Sequence, residues 1–219
     1  MSGIAQAWLF DLDGTLADTA PDLGHAANQV RAECGLRPLP LADYRSVASS
    51  GARGLLGVAL GMTPEHPDYA PHRDSFLAHY RSQLALHTRL FPGIAEFLLA
   101  LELKHLRWGV VTNKAAWLTH PLMEALGLGT RAACIISGDS TPNPKPAPDS
   151  LFLACSQLHL KPADCVYVGD DLRDIDAARA AGMPSIAAGW GYLGDTRIQD
   201  WPANHVVASV ADLRTLLDA

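Results

Sequence analysis

The hydrophobic positions change their spacing twice along the chain, and the changes divide it into three parts. The first part is a short apolar run, Trp8-Leu9-Phe10, that stops abruptly at Asp11-Leu12-Asp13-Gly14-Thr15-Leu16. A run without polar alternation predicts a strand buried on both faces, and this one delivers two carboxylates to the edge of a sheet. On this stretch alone Asp11 and Asp13 read more readily as turn formers or a helix cap than as catalytic groups.

Residues 17–91 show helical spacing with turn punctuation and no convincing strand. Pro21-Asp22-Leu23 opens a helix that Gly35 ends, and residues 41–47 read as a shorter one. Ser49-Ser50-Gly51-Ala52-Arg53-Gly54 predicts a small-residue loop leading into a segment at 55–60. After a break at Thr63-Pro64-Glu65-His66-Pro67, a long helix is expected from about residue 72 to 86. The middle part is therefore an all-helical insert placed just after the first strand.

From Phe91-Pro92-Gly93 onward apolar runs alternate with helices, the signature of a parallel sheet covered on both faces. Strands are expected at 108–111, 132–137, 165–168, 185–188 and 206–207, with helices at 94–103, 116–126, 148–158, 172–181 and 210–217. The predicted fold class is α/β, a Rossmann-like doubly wound parallel sheet made of residues 1–16 and 92–219, with residues 17–91 as the helical insert. In such folds ligands bind beyond the carboxyl ends of the strands, where the strand order reverses. Three expected strands end there in polar clusters: Asp11/Asp13, Thr112/Asn113/Lys114 and Asp170/Asp171/Asp174.

Composition narrows the partners. With 219 residues, 48% of them hydrophobic and 18% charged, the chain has enough apolar surface for a sizeable core and too much for a disordered segment. A formal charge of -6 gives no electrostatic reason to bind nucleic acid or an anionic membrane, so an anionic substrate would need local positive groups or a metal. No run reaches membrane-spanning length and no targeting segment is evident, which leaves a cytoplasmic address as the expectation. The four cysteines are scattered without a C-x-x-C pair and read as buried thiols of a reducing compartment. The nine histidines show no tight metal spacing, so none is assigned a role. Nothing in the pattern sets an oligomeric state.

Charge arithmetic points to a cation. Asp170 and Asp174 are four apart at the start of a helix and share a face. With Asp11 and Asp13 they put at least three carboxylates at one sheet edge, which is unfavourable unless a positive ion joins them. Oxygen-only ligands suit magnesium. Helix capping is the alternative reading for the second pair, and for Asp171 as well.

Asp11-Leu12-Asp13-Gly14-Thr15-Leu16, Thr112-Asn113, Lys145-Pro146 and Gly169-Asp170-Asp171-Leu172-Arg173-Asp174 stand in the order, and at about the separations, of the four motifs of the haloacid dehalogenase superfamily of phosphatases. The chain resembles that superfamily from end to end, and the helical insert matches its cap domain. The resemblance implies a magnesium-dependent phosphomonoester hydrolase acting on a small organic phosphate. Asp11 would be the nucleophile that forms an aspartyl-phosphate. Asp13 would protonate the leaving alcohol and then deprotonate water. Mg2+ would be held by Asp11, the Asp13 carbonyl and Asp170, with Asp174 acting through water. Thr112 and the backbone at Asn113 would bind the phosphoryl group, Lys145 would offset its charge, and Arg53 is the cap residue expected to reach the substrate.

Two groups within the superfamily share local likenesses. The Asp-Gly-Thr-Leu-Ala-Asp-Thr-Ala-Pro-Asp opening and the cap size resemble phosphoglycolate phosphatases. Ser50-Gly51-Ala52-Arg53, the run from Trp108 to Lys114, Gly169 to Ile175 and Gly189-Trp190-Gly191-Tyr192 resemble N-acetylmuramic acid 6-phosphate phosphatases. A dehalogenase is disfavoured by Asp13, and a phosphonatase by the absence of any lysine between Ala17 and Leu90. A sugar-phosphate mutase on the same core and a non-catalytic phosphate-binding regulatory module are the alternatives.

Overall fold

The computed structural model describes residues 5–218, so residues 1–4 and 219 of the expected sheet domain lie outside the described residues. Strand β1 (Ala7–Phe10) leads through a two-residue strand, β2 (Ala17–Asp18), into helices α1 (Ala20–Glu33), α2 (Ala42–Arg45), α3 (Gly51–Leu60) and α4 (Tyr69–Ser82). A second two-residue strand, β3 (Arg89–Leu90), pairs antiparallel with β2, so the two connections between helices and sheet run side by side. Downstream follow α5 (Ile94–Leu103), β4 (Arg107–Val111), α6 (Ala116–Ala125), β5 (Ile135–Ile136), α7 (Asp149–Leu158), β6 (Cys165–Gly169), α8 (Leu172–Ala181), β7 (Ser185–Ala188), β8 (His205–Val207) and α9 (Val210–Asp218).

Six strands form one parallel sheet in the order β5-β4-β1-β6-β7-β8. From β1 the chain builds one side with β4 and β5, then crosses back to lay β6 against the other side of β1. The order reverses beside β1, so the carboxyl end of β1 opens at the switch point where α/β sheets bind ligands. All four residues of β1 are buried, as an unalternating apolar run requires. Trp8 and Phe10 pack edge-on against Phe97 of α5, with ring centroids 5.3 and 6.2 Å away. These contacts anchor the strand that carries Asp11.

The bounds of α5, α8 and β7 coincide with the expected ones, because each has an unambiguous stop or a closed apolar pattern. Elsewhere tertiary packing shifts the ends. The expected loop at 49–54 is instead a 3-10 turn, Ala48–Ser50, running into α3, whose buried Leu55, Leu56 and Ala59 hold a continuous helical face. Helix α4 begins three residues earlier than expected and stops at Ser82, since the buried stripe that defines it is Tyr69, Phe76 and Tyr80. The strand expected at 132–137 shrinks to Ile135–Ile136, which has a sheet neighbour on one side only. Pro148 is the residue before α7 and not within its first turn. The pair β2–β3 lies in a region without a strand pattern, because two residues have no periodicity to read.

Candidate active site

The ends of β1, β4 and β6, joined by the 139–148 loop, converge on one cavity of about 270 Å3 lined by Asp11, Asp13, Thr112, Asn113, Lys114, Lys145, Asp171, Arg173 and Asp174. Helices α1, α3 and α4 supply Leu23, Gly51, Ala52, Phe76, Leu77 and Tyr80 on the other side, and α6 adds Trp117 and Leu118. Each polar group arrives for a local reason. The Asp11 amide donates to Val168 O and the Thr112 amide to Ile136 O, so both strands end in register with their neighbours. Asn113 grips the Lys145 backbone at both ends, donating from Nδ2 to the carbonyl and accepting at Oδ1 from the amide, each at 2.9 Å. The resemblance casts Asn113 as a phosphate ligand through its backbone; its side chain holds the lysine loop.

Asp11, Asp170 and Asp174 each place a carboxylate oxygen within 4.8 Å of the others, and all three are buried. Lys145 is 4% exposed and is the cation among them. Its three ammonium protons point to Asp174 Oδ1 at 2.6 Å, Tyr167 Oη at 2.7 Å and Val111 O at 3.1 Å. Asp11 Oδ1 lies 3.0 Å from the same nitrogen as an ion pair without hydrogen-bond geometry, and among the described residues this buried oxygen has no hydrogen-bond donor. Asp170 is fully buried and takes hydrogen bonds from Thr15 Oγ1 at 2.7 Å and the Tyr192 amide at 2.8 Å. A side chain at Gly14 or Gly191 would collide with the Asp170 carboxylate, and Gly14 also has φ +88°. These two glycines let the backbone close around it.

Burial, followed by the Asp11 and Asp174 charges, pushes the Asp170 carboxyl well above the ordinary carboxylate range. Burial also raises Asp174 to about 7, with Asp11 adding to the rise and Lys145 opposing it. For Lys145 burial pulls downward, but the Asp11 and Asp174 charges outweigh it and its value stands above normal. One ammonium thus pairs with Asp11 and Asp174, leaving an Asp11 oxygen without a hydrogen bond and a strongly raised Asp170 without a cation. A hard divalent cation with oxygen preference fits this donor set, since it would ionise Asp170 and satisfy Asp11 together.

The second carboxylate of the first motif looks elsewhere. Asp13 accepts from Lys114 Nζ at 2.9 and 3.1 Å and from Thr19 Oγ1 at 2.6 Å, and its side chain stands outside the group of three. Lys114 is itself buried, lies 4.6 Å from the Tyr80 ring centroid, and is held above its normal value because Asp13 and Tyr80 overcome the cost of burial. Asp174, expected to act only through water, sits directly against Asp11 and Asp170 and against Lys145. Asp171 caps α8, accepting from the Arg173 amide while its own amide donates to Asp174 Oδ2. Arg173 closes a fork on Asp171 at 2.7 and 2.8 Å and reaches Ser49 O of the helical segment at 2.8 Å.

Arg53 does not line this cavity. It borders a neighbouring one of about 620 Å3 with Glu65, Met62 and Thr63, which meets the first at Ser50 and Arg173. Several participants carry no motif of their own. Tyr167 alternates along a buried strand like any core aromatic, yet its hydroxyl accepts from Lys145 and donates to Val111 O at 2.6 Å. Tyr192 accepts at its hydroxyl from the Thr19 and Ala20 amides, both at 2.8 Å, and donates to Asp18 at 3.0 Å, so one residue ties Asp170 to the start of α1. The Gly189-Trp190-Gly191-Tyr192 run was a signal available for it; Thr15 and Thr19 had none beyond proximity to Asp13.

Comparison with known proteins agrees with this arrangement. Residues 8–188 match the family described as haloacid dehalogenase-like hydrolase. The chain is 42% identical over 98% of its length to an N-acetylmuramic acid 6-phosphate phosphatase of Pseudomonas putida, covering 96% of that protein. It is 43% identical over 92% of its length to a phosphoglycolate phosphatase of Xanthomonas campestris pv. campestris, covering 91% of that protein. The crystal structure of a predicted phosphoglycolate phosphatase from Haemophilus somnus superposes with a TM-score of 0.85 at 25% identity, covering 99% of both chains.

Proposed function

The chain belongs to the haloacid dehalogenase-like hydrolases, and from that premise we propose that this phosphatase is a magnesium-dependent phosphomonoesterase working through phospho-Asp11. The observation that carries the reading is the buried group of Asp11, Asp170 and Asp174 with a single Lys145 against two of them, beside the cavity that Asp11, Asp13, Thr112 and Asp174 line. An Asp11 oxygen attacks phosphorus, the bond from phosphorus to the ester oxygen breaks, and Asp13 gives its proton to the departing alkoxide. Asp13 then takes a proton from water, which displaces Asp11 and releases inorganic phosphate. Thr112, the Asn113 backbone and Lys145 bind and orient the phosphoryl oxygens. Asp11, the Asp13 carbonyl and Asp170 would hold Mg2+, with Asp174 beside them, and the ion would shield the nucleophile from the phosphate charge. Lys114 holds the Asp13 carboxylate in place between proton transfers.

Residues 17–91 form the cap on a core of residues 1–16 and 92–219, and the paired strands β2 and β3 form its hinge. The cap side of the cavity supports a substrate larger than a two-carbon acid. Phe76, Leu77 and Tyr80 of α4, joined by Trp117 of α6 in the core, make an apolar, aromatic wall of the kind that packs on a sugar ring. Every lysine and arginine lining the cavity already faces a carboxylate of the protein: Lys114 with Asp13, Lys145 with Asp11 and Asp174, Arg173 with Asp171. The carboxylates of 2-phosphoglycolate and N-acetylmuramic acid 6-phosphate meet the same lack of a free cation, and what separates the two esters is the sugar ring that the second presents to the wall. Hydrolysis of the two esters, assayed side by side with Mg2+ and with chelator, tests both levels. We expect chelator to abolish turnover and kcat/KM to favour the amino-sugar ester. Preference for 2-phosphoglycolate would overturn the substrate reading, and full activity in chelator would overturn the metal.

A further inference from the structure

Two histidines that the chain keeps 62 positions apart meet in the fold. One ring nitrogen of His25, one of His87 and a carboxylate oxygen of Asp22 all lie within 4.8 Å of one another, and the rings are 5.0 Å apart between centroids. We propose that these three residues form a second cation site, distinct from the carboxylate group of the active site, and that it takes a borderline divalent metal such as zinc.

The donor set decides the class of ion. Two imidazoles and one carboxylate suit zinc or cobalt, which accept nitrogen ligands in tetrahedral geometry; magnesium prefers oxygen throughout. Water would complete the fourth position, and His87 is exposed, so the site has an entry path.

The ligands are held as metal ligands usually are. His25 Nδ1 lies 2.8 Å from Pro21 O, and because a carbonyl can only accept, that nitrogen carries the proton and Nε2 keeps its lone pair. A backbone carbonyl fixing one nitrogen of an imidazole, with the other left free to bind, is the usual support for a metal-bound histidine. Asp22 is buried and rigid: Oδ2 accepts from the Thr88 amide at 2.8 Å and the Thr88 hydroxyl at 2.7 Å, while Oδ1 takes only the His87 amide at 2.9 Å and retains accepting capacity. That clamp explains Asp22 without a metal. It does not explain the two imidazoles, and among the described residues the His87 ring makes no hydrogen bond that would hold it there.

The location gives the site a consequence. Asp22 and His25 stand on the first turns of α1, just after β2, and His87 lies two residues before β3 begins. An ion shared by them would tie the helix leaving the sheet to the strand returning to it, across the paired connections.

Zinc titration of the full-length protein in excess Mg2+, followed by calorimetry, tests the site in the wild type and in His25→Ala and His87→Ala. Zinc entering the carboxylate group would be common to all three and drop out of the comparison. Asp22 is left intact because its carboxylate secures the backbone. We expect a zinc-binding event in the wild type that weakens at least ~10–100-fold in each variant, the loss known for removing even a ligand's supporting partner. Cobalt should give the wild type the strong visible absorption of a tetrahedral, nitrogen-bound ion and give neither variant that band. Circular dichroism confirms that the variants are folded. Identical zinc isotherms in all three folded proteins, or a cobalt band that survives both substitutions, would overturn the proposal.

Discussion

On one side of the cavity, charged groups at the ends of β1, β4 and β6 are buried and answer one another; on the other, α1 and α4 offer Leu23, Phe76, Leu77 and Tyr80. The sheet side is over-determined. Lys145 is placed by Asn113 through its backbone and by Tyr167, Val111 and Asp174 through its ammonium, and Asp170 by Thr15, Tyr192 and two glycines. The helical side supplies shape and apolar area, and the arginine expected to reach the substrate, Arg53, borders the adjoining cavity instead. The contrast teaches where chemistry and selectivity reside. A buried charge must have its partners fixed before the substrate arrives, whereas an apolar wall works by size and can vary freely.

The sharpest way to break the comparison is at Asp11. Asp11→Asn should lower kcat by about 10^4-fold or more, the scale for loss of a nucleophile. Its melting temperature should equal or exceed that of the wild type, because one charge leaves an overcrowded group; appreciable turnover in the variant would refute the assignment. Lys145→Met comes next. It strands Asp174 and Asp11 without their cation, so equilibrium unfolding in urea should show a loss of about 3–5 kcal/mol. An unchanged midpoint would mean that the carboxylates are not held as described.

A third test uses pH. Burial, with the Asp11 charge behind it, raises Asp174 to about 7 and lifts Asp170 well above its usual range. Between about pH 4 and 7 the folded protein then keeps protons that the unfolded chain has released, so metal-free stability falls as pH rises through that window. Mg2+ competes with those protons. At about 100 times its dissociation constant it adds about 2.7 kcal/mol, and the gain in melting temperature at a fixed Mg2+ concentration should be larger at about pH 8 than at about pH 6. Equal gains at both would detach the metal from these carboxylates. The smallest effect belongs to the helical side: Leu77→Ala should raise KM for the amino-sugar ester about tenfold, with kcat for p-nitrophenyl phosphate unchanged. A matching fall in kcat would show that the wall takes part in the chemistry.

The strands and helices of the sheet domain were legible because each carries a self-contained signal. Apolar runs ending in Asp11, Thr112 and Asp170 announce buried strands with functional ends, and Asp171 and Gly182 bracket α8 at the expected positions. In the helical segment the same reasoning misplaced both the start of α3 and the start of α4, because Gly51-Ala52-Arg53-Gly54 and Tyr69-Ala70-Pro71 have poor intrinsic helical preference and are drawn into helices by buried neighbours. In the sequence Lys114 belongs to a polar strand-end cluster that assigns it no task. Only the fold shows it to be the partner of Asp13.

By itself the amino-acid sequence determined the doubly wound sheet, the helical insert and the carboxylate-rich strand ends, since these follow from local periodicity and from the order of short motifs. Tertiary structure alone decided how the charges are shared. It set Asp174 against Lys145, turned Asp13 toward Lys114, swung Arg53 out of the cavity and brought His25 to His87. Those outcomes depend on distances between residues far apart in the chain. Such distances are fixed by packing, and no local pattern of residues encodes them.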